Sequence, residues 1–147
     1  MLLIDAHLDL SMNALEWNRD LRASIQEIND REKHLTDKPD RGKATVSLDE
    51  LRKGNVGIVV ATQIARYVAP ESTLPGWNSP EQAWAQTQGQ LAYYKALERT
   101  GDLRPIRNRS ELHDHLTQWE ADKQTIGYIL SLEGADSIVS LEYLEIA

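Results

Sequence analysis

An α/β fold built on parallel strands is predicted by three features of this 147-residue sequence. Residues 56–63 and 125–132 are almost continuously apolar, as expected of parallel strands buried on both faces. Helical patterns fall between successive strand patterns, the order in which right-handed crossovers join parallel strands. The amino-terminal Leu2-Leu3-Ile4 reads as a further buried strand, and it runs directly into three ionisable residues, Asp5, His7 and Asp9.

Taken in order, the first strand gives way to a short helix over residues 11–20, with Leu15 and Trp17 partly buried. Residues 30–43 are densely charged, contain Pro39 and Gly42, and read as a long exposed loop with His34 on the surface. Ser47-Leu48-Asp49-Glu50 is a capping-box pattern, in which hydroxyl and carboxylate reciprocally satisfy the first helical N–H groups. Leu48 and Leu51 then face a core, and Gly54 is placed to close the helix in a left-handed conformation. The strand over 56–63 follows.

A loop over 67–79, with Pro70, Pro75 and Gly76, leaves Trp77 exposed or covering a pocket. Ser79-Pro80-Glu81 supplies a cap, a proline at the first position and an acid in the first turn of a long helix. Trp84, Leu91, Tyr94 and Leu97 give that helix its apolar stripe, and Gly101 ends it. A short strand at 103–107 and a helix opened by Ser110-Glu111, carrying Leu112, Leu116 and Trp119, lead to the strand over 125–132. That strand ends at Glu133-Gly134.

Composition narrows the function classes. Apolar content of 41% and charged content of 27% are those of a soluble globular domain. A net charge of −7 with no basic stripe argues against a nucleic-acid partner. The longest apolar stretch, residues 56–61, is too short to cross a bilayer, and charges at Asp5, His7 and Asp9 interrupt any secretion signal. Cysteine is absent, so any metal must sit on histidine and carboxylates. That absence fits a cytoplasmic location.

The chemistry concentrates at strand ends. In extended backbone, residues i and i+2 share a face, so His7 and Asp9 present an imidazole and a carboxylate to one point, half of a zinc-type site. Glu133 repeats the logic at the end of a distant strand. Parallel α/β architecture puts all strand carboxyl ends on one side, which lets Glu133 share a rim with His7 and Asp9. His113 and His115, at i, i+2 on a helix, point in different directions and read as solvated.

Ile4-Asp5-Ala6-His7-Leu8-Asp9, the segment from Ser47 to Gly57 and Ile129-Leu130-Ser131-Leu132-Glu133-Gly134 together resemble the membrane (renal) dipeptidases, peptidase family M19 of the metal-dependent amidohydrolase superfamily. The resemblance implies a (β/α)8 TIM barrel whose amino-terminal part is residues 1–147, with the remaining strands outside this chain. It implies two zinc ions, His7 and Asp9 binding one and Glu133 bridging both. Asp5 supports the ligands from behind. The reaction implied for the complete chain is hydrolysis of a dipeptide through a hydroxide held between the ions.

Two departures stand out. Gly134-Ala135-Asp136 occupies the place where some relatives have Gly-Gly-His, and the family's second-zinc histidines and a catalytic aspartate lie on later strands, whereas this sequence reaches Ala147 within what reads as the helix after the Glu133 strand. The 147-residue chain alone is therefore expected to be inactive. The alternatives are a non-catalytic truncated homologue with a partial metal site, and another amidohydrolase acting on a small amide. No membrane segment is expected, and a homodimer is compatible with the resemblance.

Overall fold

The computed structural model describes residues 1–145. Its strands are β1 (Leu3–Leu8), β2 (Val56–Ile64), β3 (Leu103–Pro105) and β4 (Ile126–Glu133). Its helices are α1 (Leu10–Glu16), α2 (Ile25–Glu32), α3 (Leu48–Lys53), α4 (Pro80–Thr100) and α5 (Arg109–Asp122), followed by a 3-10 turn at Leu141–Glu145. All strand pairs are parallel, in the order β1-β2-β4-β3. The predicted α/β class and its parallel sheet are thus found, but β3 is not interposed between β2 and β4. It pairs with only the first residues of β4, from Leu103 opposite Ile126 to Pro105 opposite Tyr128, and leaves β2 and β4 joined along their length.

One apolar cluster ties sheet to helices, with Leu10 of α1, Leu48 of α3, Val59 and Ala61 of β2, Tyr94 and Leu97 of α4, Trp119 of α5 and Tyr128 of β4. β2 meets the expectation of a strand buried on both faces. β1 does not. It is an edge strand, with Leu3 43% and Ile4 60% exposed, because nothing among the described residues pairs with its outer side. β4 is buried over Ile126, Gly127 and Tyr128 and exposed at Ile129 and Leu130. The sheet therefore carries bare apolar surface at the start of β1 and midway along β4.

The charged segment after α1 departs most from expectation. Ser24 and Glu27 form a reciprocal capping box that opens α2, and Glu32 at its end is buried between Arg19 and Arg41. His34 is on the surface as read. At α3 only half of the predicted box exists: Ser47 accepts from the Glu50 N–H, while the Glu50 carboxylate pairs with Lys53 Nζ at 2.7 Å. Gly54 keeps a negative φ, and the left-handed residue is Asn55. α4 begins and ends as predicted, with Gly101 left-handed, but its buried face is Ala83, Thr87, Gln90, Tyr94 and Leu97, with Trp84 and Leu91 at the margin. α1 buries Leu10, Ser11 and Ala14, leaves Leu15 exposed and holds Trp17 half-buried beyond its end.

His115 is the other correction. It is fully buried, its Nε2 lies 2.8 Å from the Gly57 carbonyl, and its ring fills the space beside Gly127 that a side chain there would occupy. Burial holds its pKa below the ordinary histidine value. His113 is exposed, as read. Where an α-helix is expected after β4, the described residues form only the 3-10 turn; residues 146–147 lie outside them.

Candidate metal centre

The carboxyl ends of β1 and β4 flank that of β2, and from them three side chains converge. His7 Nε2 lies 3.5 Å from Asp9 Oδ1 and 3.0 Å from Glu133 Oε2, and one ligand atom from each residue falls within 4.8 Å of the other two. Tetrahedral zinc with ligands at 2.0–2.2 Å separates its donor atoms by roughly 3.4 Å, so this spacing fits one small cation with little movement. The donor set, a neutral imidazole nitrogen and two carboxylates, also suits a borderline divalent ion. His7 and Glu133 are exposed and Asp9 is half-buried, so the centre opens to solvent.

Local sequence explains the convergence. The Asp5 carboxylate accepts from the His7 backbone N–H at 3.0 Å, which fixes the chain where the pairing of β1 with β2 becomes irregular. Asp9 is not a strand residue; it is the N-cap of α1, so it reaches the site by the turn that starts the helix. Gly134 adopts φ +81° directly after Glu133, turning the chain away and leaving the carboxylate at the rim. All four residues singled out from the sequence are thus in one neighbourhood, and His34, His113 and His115 are not among the clustered ligands.

A buried polar cluster behind the rim was not foreseen. The Thr62 hydroxyl, near the end of β2, donates to Asp9 Oδ1. The Thr62 carbonyl accepts from Tyr94 Oη at 2.7 Å and from Ser11 Oγ at 2.9 Å. Gln90 clasps Ile64 through both its amide atoms, at 2.7 Å each. Burial pushes the Tyr94 hydroxyl up to about 12, so it remains a donor at neutral pH. The available signal was Thr62-Gln63, two polar residues at the carboxyl end of an otherwise apolar strand.

Asp9 also has a route to the charged cluster. Asn13 Nδ2 donates to the Asp9 carbonyl at 3.0 Å, and Asn13 Oδ1 accepts from Arg19 Nη1 at 2.8 Å.

Comparison with known proteins adds the wider context. No family model matches the sequence, and no curated protein does either. Solved structures do match. One is a dipeptidase described as a metallopeptidase of family M19, with a TM-score of 0.60 and 18% identity over 99% of this chain and 40% of its own. Another is a metallopeptidase from Rhodobacter sphaeroides solved with a phosphinate mimic of the dipeptide L-Ala-D-Ala, with a TM-score of 0.59 and 17% identity over 99% of this chain and 42% of its own. The chain spans less than half the length of either. Among the described residues no helix is long and apolar enough to cross a membrane. The parallel sheet with its alternating helices has the fold of the amino-terminal part of these two metallopeptidase structures.

Proposed function

We propose that residues 1–147 are the first part of a single (β/α)8 barrel, and that the complete chain is a zinc-dependent dipeptidase. The observation that carries this reading is the meeting of His7, Asp9 and Glu133 at one point from opposite ends of the sequence. Likeness to two metallopeptidase structures, one holding a dipeptide mimic, supports it. The bare apolar surface at Leu3, Ile4, Ile129 and Leu130 is what further barrel strands would cover.

In this reading His7 Nε2 and the Asp9 carboxylate would hold one zinc ion, and the Glu133 carboxylate would be shared with a second. Zinc, when bound, supplies Lewis acidity and a water-derived nucleophile near neutral pH. The remaining work falls to the chain itself. Two carboxylates in one small space offset the charge of closely spaced cations, and Asp5 keeps the His7 backbone in place. The open rim admits a small substrate such as a dipeptide. Among the described residues this is the one cluster of three potential ligands, so in this reading the ligands of a second ion would be supplied by other parts of the full chain.

The test is hydrolysis of a panel of L,L and L,D dipeptides by the full chain, followed as released amino acids, with zinc counted by elemental analysis. Hydrolysis that is lost on chelation, restored by zinc and abolished in His7→Ala is expected. Near-normal turnover and full zinc occupancy in His7→Ala would overturn the ligand assignment. A second reading, a non-catalytic piece with one weakly held ion, is favoured only by the count of three ligands. Metal binding without hydrolysis by the full chain would select it.

A further inference from the structure

An aspartate at a helix N-cap ordinarily turns its carboxylate onto the free N–H groups of the first turn. Asp9 occupies the N-cap of α1 and makes no such bond. The N–H of Ser11, at the second helical position, is instead taken by Tyr94 Oη at 3.2 Å. The same phenol donates to the Thr62 carbonyl, and the Thr62 hydroxyl takes the Asp9 carboxylate. A residue from α4 therefore caps α1, while a residue of β2 holds the side chain that would otherwise have done so. Ser11, Thr62, Gln90 and Tyr94 are all buried to within 1% of full coverage, and Ser11 Oγ also contacts Gln90 Oε1 at 3.2 Å. Networks so enclosed tolerate few alternative arrangements.

We propose that Tyr94 and Thr62 are a pair of positioning residues for Asp9, Tyr94 by relieving it of the helix cap and Thr62 by aiming its carboxylate at the rim. This rests on Asp9 being a metal ligand. Removing the phenol leaves the Ser11 N–H without its partner, and the carboxylate of an N-cap residue is the group that helix geometry places to take it, which would swing Asp9 inwards onto the helix. Removing the Thr62 hydroxyl frees the carboxylate to rotate. Neither residue would touch metal or substrate.

The experiment measures zinc affinity of the full chain by competition with a chromophoric chelator, in parallel with thermal unfolding of the metal-free protein. Tyr94→Phe and Thr62→Val, each nearly isosteric, are expected to weaken zinc binding about 10-fold or more, the range seen when supports of metal ligands are removed. Thr62→Ser is expected to restore most of it. The cobalt-substituted forms report geometry directly: the visible spectrum changes in Tyr94→Phe and Thr62→Val but not in Thr62→Ser. Unchanged affinity and an unchanged cobalt spectrum in Tyr94→Phe, with only a lower melting temperature, would show that the network is structural and overturn the proposal. A wild-type chain that binds no zinc would overturn the ligand reading itself, and this inference with it.

Discussion

Glu32→Gln isolates the charge buried beneath the α1–α2 connection. Glu32 is 4% exposed and accepts four hydrogen bonds: Arg19 Nε at 2.8 Å, and Arg19 Nη2, Arg41 Nη1 and the Gly42 N–H at 2.9 Å each. The bonds from Arg19 are the main cause holding its carboxyl down at about 2 against an ordinary 4.5, with burial acting in the opposite direction. A carboxylate depressed in the folded state stabilises fully above its unfolded pKa, and that contribution is lost as pH falls through the folded value. The window here runs from about 4.5 down to about 2, and linkage makes the contribution up to ~3 kcal/mol.

Replacing the carboxylate leaves two guanidinium groups facing a neutral amide. Arg41 keeps Asp37 and the Trp17 carbonyl, and Arg19 keeps Asn13 and the Asp40 carbonyl. Breaking a buried pair from one side costs about 3–5 kcal/mol, and these remaining partners place Glu32→Gln at the lower end. Urea unfolding at a series of pH values from 7 to 2 is the assay. The variant is expected to be about 3 kcal/mol less stable at pH 7, with the gap closing between pH 4.5 and 2 as wild type itself becomes protonated. Other depressed carboxylates are common to both proteins and cancel in the difference. A gap below 1 kcal/mol at pH 7, or one that does not change with pH, would refute the reasoning.

Two further substitutions separate the rim from the opposite end of the sheet. Glu133→Gln removes the anionic oxygen proposed to face both ions; elemental analysis of the full chain is expected to show zinc falling from two towards one per chain, and an unchanged count would rule out bridging. In Gly127→Ala the new Cβ would lie 2.6 Å from Ile106 Cδ1 and 2.7 Å from His115 Nε2, atoms already enclosed by packing. Overpacking of this kind costs about 1–3 kcal/mol. Thermal unfolding should fall by several degrees while zinc affinity stays unchanged, and wild-type stability would show that His115 can yield.

What was legible in the sequence followed from one-dimensional signals. The β-branched run of β2 and the Ser79-Pro80 start and Gly101 stop of α4 depend on local chemistry, and they were read close to their observed bounds. The convergence of His7, Asp9 and Glu133 is legible because parallel topology brings strand carboxyl ends together, whatever their separation in sequence. α2 was missed, although Ser24 and Glu27 carry the capping pattern, because its charges suggested solvent; Glu32 is buried only because Arg19 and Arg41 arrive from outside the helix. His115 was misplaced for a similar reason. Its helix is polar overall, the space it fills is left by Gly127 of β4, and its partner is the Gly57 carbonyl of β2. The leucines of β1 predict a buried strand, but burial of an edge strand depends on neighbours, which no local pattern specifies.

The distance along the chain between Asp9 and Glu133 has a thermodynamic consequence. Bringing them together closes a loop of about 120 residues, an entropic penalty of roughly 4 kcal/mol beyond the constant term. The unfolded chain has no comparable pocket, so an ion held between them binds the folded state almost exclusively. Each tenfold excess of free ion over its dissociation constant then adds about 1.4 kcal/mol to folding stability. A cation here would act as a clasp across the whole stretch from β1 to β4. It would be retained only by molecules in which β1, β2 and β4 have all found one another.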